Sequence, residues 1–125
     1  MKTILHPQEI ETYYIIPTIR RYFAKFLKEE GMKQKDIAQL LGISSASISQ
    51  YTKTKRGHKV DFPEEILKEM KISTIKIKDT LSYFKETQRI ISLLRTTSVL
   101  CQIHHQLSDI PKLCQPELVG CHVKQ

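Results

Sequence analysis

The stretch 32–51, MKQKDIAQLLGISSASISQY, leaves the backbone few choices. Its apolar residues Ile37, Leu41 and Ile48 are spaced for two short helical faces, with Gly42-Ile43-Ser44 between them. Two short helices that cross at a wide angle need a small residue where they touch, and Ala38 stands at that place. The turn needs a residue that tolerates positive φ, which Gly42 does without the steric penalty that a Cβ brings. Ile43 is then the apolar plug of the turn. Ser44 is placed to cap the second helix by accepting from its orphan N–H groups. That helix, over 45–52, turns small or hydrogen-bonding residues outward: Ser45, Ala46, Ser49 and Gln50.

The remainder of the chain follows helical periodicity as well. Four Gly and five Pro in 125 residues favour helices over a turn-rich β fold. With 40% hydrophobic and 26% charged residues the chain can bury a core. A first helix is expected from Pro7 to Tyr14, and a second from Pro17, because proline suits a first helical turn. Ile19, Tyr22, Phe23, Phe26 and Leu27 make one buried stripe, Arg20, Arg21, Lys25 and Lys28 lie off it, and Gly31 stops the helix. After a basic loop at 53–59, a short helix covers PEEILKEM from Pro63. The longest periodic segment runs over 74–95. It carries Ile77, Leu81, Phe84 and Ile91 on one stripe and Tyr83, Ile90 and Leu94 on the next, with a break at Thr96-Thr97. A last helix holds Leu100, Ile103 and Leu107, and an irregular tail starts at Ser108. The expected fold is all-α: a helical bundle over 1–72, then a long helix and a Cys/His-containing tail over 73–125. Two adjacent stripes are more than one contact can bury, so one is expected to face a second copy, making a homodimer.

Charge is uneven along the chain. The net charge is +7, and residues 1–60 hold eleven Lys/Arg against five Asp/Glu, while 61–125 hold nine against eight. A basic first half fits a polyanionic partner and fits a solubilising lysine-rich surface equally well, so charge alone does not decide between them. No apolar run approaches the ~20 residues that span a bilayer, so no membrane contact is expected. The N-terminus MKTILHPQEI lacks the apolar core of a signal peptide, which points to the cytoplasm. No glycine-rich phosphate loop is present, and Ser44, Ser45, Ser47 and Ser49 are better explained by caps and groove contacts than by nucleophilic catalysis. An enzyme is not expected.

Gln34, Ile37-Ala38, Gly42-Ile43-Ser44 and Ile48-Ser49 resemble the helix-turn-helix of the Cro/phage-repressor (Xre-like) family, over about 25 residues. The longer run from IIPTIRRYF to TKTKRG is similar to small archaeal regulators that join such a motif to a Cys-containing C-terminal segment. Tyr51 departs from the aliphatic residue usual there. The resemblance implies that Gln34 opens the scaffold helix against the phosphate backbone and that Ser45, Ala46 and Gln50 face bases. In the major groove Gln pairs with the adenine edge and Ala touches the thymine methyl. With Ser44, Ser47 and Ser49 on the same helix and Lys53, Lys55 and Arg56 at its basic exit, these residues make the expected interface with double-stranded DNA. The implied function is sequence-specific transcriptional regulation by a homodimer. Two alternatives stand beside it: an antitoxin-like protein-interaction module with secondary DNA binding, and a non-specific chromosome-coating protein. The polar Ser45 and Gln50 argue against coating, which favours Lys and Arg on the reading face.

Three cysteines, all beyond residue 100, cannot pair off completely, which fits a reducing compartment better than a disulfide framework. Cys101 shares a helix face with His104 or His105, and Cys114, Cys121 and His122 are in the tail. Cys101, His104, Cys114 and Cys121 make a candidate tetrahedral zinc site, or ligands to an iron–sulfur cluster. The spacing C-x2-H-x9-C-x6-C contains no C-x-x-C pair. The alternatives are that Cys101 and Cys114 are buried small apolar side chains with the histidines on the surface, or that the cysteines serve redox sensing or a disulfide.

Overall fold

Helix α1 (Pro7–Ile10) opens on Pro7, whose missing N–H falls where an α-helix has no acceptor to offer. Glu9 Oε1 accepts from the His6 backbone N–H at 2.9 Å and closes that end. A computed structural model describes residues 4–47 and 60–107, and among these there are helices and no strand. The fold is all-α, as the periodicity predicts.

The expected break between Tyr14 and Pro17 does not occur. The chain passes from α1 through a π-helical turn (Glu11–Ile15) directly into α2 (Ile16–Glu29). In a regular α-turn Pro17 would offer no N–H to the Tyr13 carbonyl and its ring would press on that group. The π-turn relieves the conflict, because the Ile16 N–H reaches back to the Glu11 carbonyl instead. The Thr18 hydroxyl then donates to the Tyr14 carbonyl at 2.6 Å. Proline here widens a helix rather than starting one.

Along α2, Ile19, Phe23, Phe26 and Leu27 are buried as the stripe predicts. Arg21, expected on the solvated side, is buried too. Residues 60–62 cross over it, and its guanidinium donates to the Val60 carbonyl at 3.3 Å and to the Asp61 carboxylate at 3.2 Å. The guanidinium also lies 4.5 Å from the centre of the Tyr22 ring.

Helix α3 (Gln34–Leu41) comes after a tight turn at Gly31. The next described helices are α4 (Glu64–Lys76), α5 (Thr80–Thr96) and α6 (Val99–Leu107). The long helix expected over 74–95 is thus divided: 74–76 finish α4, and the break lies at 77–79. Asp79 explains it. Its carboxylate accepts from the Ser82 backbone N–H at 2.7 Å while the Ser82 hydroxyl accepts from the Asp79 N–H at 2.9 Å, a reciprocal start signal. Ile77, now in the joint, is buried. The boundary expected at 72/73 falls inside α4, and one cluster of buried residues extends across it.

The two stripes of the long segment are corrected as well. Tyr83, Ile90 and Leu94 are buried, and Ile91 joins them in the core, whereas Leu81 and Phe84 are 76% and 58% exposed. The break after Thr96 is present, with Ser98 at φ 67.

Helix α2 packs against α3 and α4, while α5 lies against α3, α4 and α6. The Phe23 and Tyr83 rings meet edge to face at 6.2 Å, joining α2 to α5. Helix α6 returns to the N-terminal end, where His104 Nε2 bonds the Leu5 carbonyl at 2.5 Å. Arg95 holds Glu11 through two hydrogen bonds of 2.6 and 2.8 Å. Among the described residues no helix is long and apolar enough to cross a membrane.

A buried carboxylate joins α4 to α5. Arg89 donates to Glu86 at 3.2 Å, to the Glu69 carboxylate at 2.8 Å, to the Glu69 carbonyl at 2.9 Å and to the Ser73 hydroxyl at 2.6 Å. Burial pushes the Glu86 carboxyl up, but hydrogen bonds from Ser73 and Arg89 and the charges of Arg89 and Lys76 outweigh it and hold it below the ordinary range. A depressed carboxyl contributes stability that is full above its unfolded pKa and disappears as pH falls through the folded value. Arg89→Ala should therefore lower the unfolding free energy near neutral pH by about 2 kcal/mol. That is less than for a fully enclosed pair, because the Arg89 side chain is 32% exposed. Urea denaturation of wild type and variant should show the gap narrowing as Glu86 protonates. A gap that stays constant into strong acid would show that Glu86 does not carry the effect.

Candidate nucleic-acid interface

The turns on either side of α3 are built alike. At the end of α2 the Gly31 N–H donates to the Lys28 carbonyl at 3.0 Å and the Met32 N–H to the Leu27 carbonyl at 3.1 Å. At the end of α3 the Gly42 N–H donates to the Gln39 carbonyl at 3.3 Å and the Ile43 N–H to the Ala38 carbonyl at 3.0 Å. Both are the paired closure of a Schellman motif, which requires a left-handed residue at its centre. Gly31 has φ 97 and Gly42 φ 68. A Cβ added at Gly42 would meet nothing within 4 Å, so the requirement for glycine comes from the backbone dihedral and not from crowding.

The expected inner side of α3 is found in place. Ile37, Ala38 and Leu41 are buried, and Ile43 is half-buried against the same core. Ser44 caps the next helical turn: its Oγ accepts from the Ser47 backbone N–H at 3.0 Å, and the two hydroxyls lie 2.9 Å apart. Residues 45–47 are helical. Helix α5 backs α3 from behind, where the Thr80 hydroxyl donates to the Leu40 carbonyl at 3.5 Å.

Gln34 has a partner that the sequence does not reveal. Its amide Nε2 donates to the Ser45 backbone carbonyl at 2.9 Å, so the first residue of α3 is fastened to the first turn of the next helical segment. This clasp spans the turn between them. Ser45 and Ala46 stay exposed beside it, Ser44 is exposed, and Ser47 is half-buried. Lys33 and Lys35, both exposed, flank Gln34 in the sequence. Ser49, Gln50, Lys53, Lys55 and Arg56 lie outside the described residues.

The C-terminal constellation is placed only in part. Cys101 is half-buried on α6, and His104 is buried with its Nε2 on the Leu5 carbonyl. His105 is half-buried. Cys114, Cys121 and His122 lie outside the described residues. Among the described residues no three His, Cys, Asp or Glu side chains gather as a set of metal ligands.

No family model matches this chain, and no curated protein or solved structure matches it either.

Gly42→Ala should destabilise the protein by about 1 kcal/mol, since only the left-handed backbone opposes it. Gly42→Val should cost more, about 1–3 kcal/mol, because a β-branched side chain is worse in that region. Thermal melts of both variants check the order. Equal melting of wild type and Gly42→Val would show that the left-handed turn is not needed for stability.

Proposed function

We propose that this chain is a sequence-specific DNA-binding regulator of transcription, acting as a homodimer on double-stranded DNA. In this reading α3 is the scaffold helix of a helix-turn-helix and the helix opened at Ser45 is its reading helix, placed in the major groove. The observation that carries the reading is the joint between them. A left-handed Gly42, a serine cap and the Gln34 clasp join α3 to the helical turn at 45–47, where Ser45 and Ala46 are exposed. A helix whose outward residues are small can approach the floor of a groove closely.

Gln34 takes a second part in this reading. One N–H of its amide holds the Ser45 carbonyl, which ties the scaffold helix to the reading helix beside the phosphate contact that the resemblance implies for it. Lys33 and Lys35 at the opening of α3, with Lys53, Lys55 and Arg56, supply the cations for the backbone. Such contacts position a protein on the duplex without reading bases.

The dimer reading narrows to fewer residues. With Ile77 and Ile91 in the protomer's own core, Leu81 and Phe84 are the apolar residues of that stripe available for a second copy. They lie at the N-terminal end of α5, the end whose Thr80 touches α3, so an interface there ties the spacing of two reading helices to the core. Two-fold related helices then meet successive half-sites about 34 Å apart.

Gln50→Ala should relax preference at one base position and weaken specific binding by about 1–3 kcal/mol. Lys35→Ala should weaken all sequences alike and reduce the salt slope by about one unit. Binding titrations against a selected operator and its point variants separate the two. Operator discrimination that survives Gln50→Ala would place the reading surface elsewhere. Leu81→Glu with Phe84→Glu should give monomers at about micromolar concentration in sedimentation and leave the melting temperature close to wild type. A wild type that is already monomeric, and that binds a single half-site, would end the dimer proposal.

A further inference from the structure

Helices α2 and α4 leave between them an open cleft of about 530 Å³. Its floor is aromatic and aliphatic: Tyr22, Phe26, Phe62 and Leu67. The Tyr22 ring lies 5.9 Å from that of Phe26 and 5.5 Å from that of Phe62, tilted by about 30° to each, so the three form one aromatic cluster in which Tyr22 is the half-buried member. The volume lies within the range of small-molecule sites, about 300–1,000 Å³.

The rim is charged. Lys25 and Glu29 come from α2, and Glu64, Lys68 and Lys71 from α4. The Lys71 ammonium stands 5.4 Å from the centre of the Phe26 ring, at the edge of the floor. Among the described residues the ion pairs within 4.0 Å involve Arg21, Arg89 and Arg95, and none of these three lysines. Three ammonium groups against two carboxylates give the rim a surplus of one positive charge. That surplus suits a monoanion, whereas a polyphosphate would meet Glu29 and Glu64 with several negative charges of its own. The two carboxylates are acceptors for a hydroxyl or amine on the ligand. A ring can pack against this aromatic cluster at less entropic cost than a flexible chain.

We propose that the α2–α4 cleft binds a small aromatic monoacid carrying a hydrogen-bond donor on its ring. Its floor is joined directly to the segment that comes after residues 48–59. The Tyr22 hydroxyl donates to Asp61 at 3.3 Å, Asp61 is held by Arg21, and Phe62 is itself part of the floor. On the reading of this chain as a DNA-binding regulator, on which this step rests, the cleft is the effector site.

The test uses 4-hydroxybenzoate as the probe, with cyclohexanecarboxylate and benzamide as controls, and follows the aromatic side-chain resonances of the full chain by NMR. Saturable shifts at Tyr22, Phe26 and Phe62 are expected with 4-hydroxybenzoate. Each control should bind at least about fivefold more weakly, since one lacks the ring and the other the charge. Lys68→Glu with Lys71→Glu should raise the dissociation constant at least about tenfold without lowering the melting temperature, both lysines being exposed. No ring shifts up to about 10 mM probe, or equal binding by the double variant, would overturn the site. Saturating probe should change operator affinity at least about threefold. Ring shifts with operator affinity unchanged overturn the effector role. Ring shifts in a protein that binds no DNA leave the site standing and reject the regulator reading instead.

Discussion

A carbonyl at the end of a helix must find a donor, and in this protein the way two helices meet that demand decides where the third element lies. At Gly31 and again at Gly42 a left-handed residue folds the chain back so that two successive N–H groups return to the last turn. The hydrogen bonds do not depend on side chains, but the dihedral does, and only glycine adopts it without strain. With α3 reversed at both ends, its buried face of Ile37, Ala38 and Leu41 has one orientation available against α2 and α5. The outer surface of that region is set by this constraint on the inner one.

The parts of the fold legible in the sequence were those governed by local chemistry. The Gly42 turn, the Ser44 cap and the stripe of Ile19, Phe23, Phe26 and Leu27 each depend on residues within a turn or two of one another, and all are present. The Asp79 cap was equally local, since Asp-x-x-Ser is a helix-start pattern, but the apolar period running through Ile77 masked it. Arg21 is a different case. No wheel drawn on α2 alone predicts its burial, because residues 60–62, forty positions away, supply the carbonyl and carboxylate that make burial tolerable. The same holds for Gln34, whose partner is a backbone carbonyl and therefore leaves no trace in composition. Pro17 shows that a breaker need not break. Where a π-turn absorbs the lost hydrogen bond, the helix goes on.

Polar groups inside this small core are handled in two contrasting ways. On the α4–α5 seam the Arg89 guanidinium meets acceptors through Nε, Nη1 and Nη2, so Glu86 keeps its charge although it is buried. Around Arg21 the satisfaction is partial: Nη2 serves Val60 and Asp61, while the buried Nη1 has no hydrogen-bond partner among the described residues. The first arrangement stiffens the joint between two long helices. The second leaves the neighbourhood of Tyr22 and Asp61 short of one hydrogen bond, which makes it the less firmly held of the two.

The contacts of Leu5 with His104 and of Glu11 with Arg95 span nearly the whole described chain. During synthesis the first helix therefore emerges long before its partners exist. At roughly 5–20 residues per second, the wait between Glu11 and Arg95 is on the order of several seconds. Over that interval Ile10 and Ile15, fully enclosed in the finished protein, have no α5 or α6 to cover them. The N-terminal helix is thus left uncovered in the nascent chain, and its enclosure waits on α5 and α6.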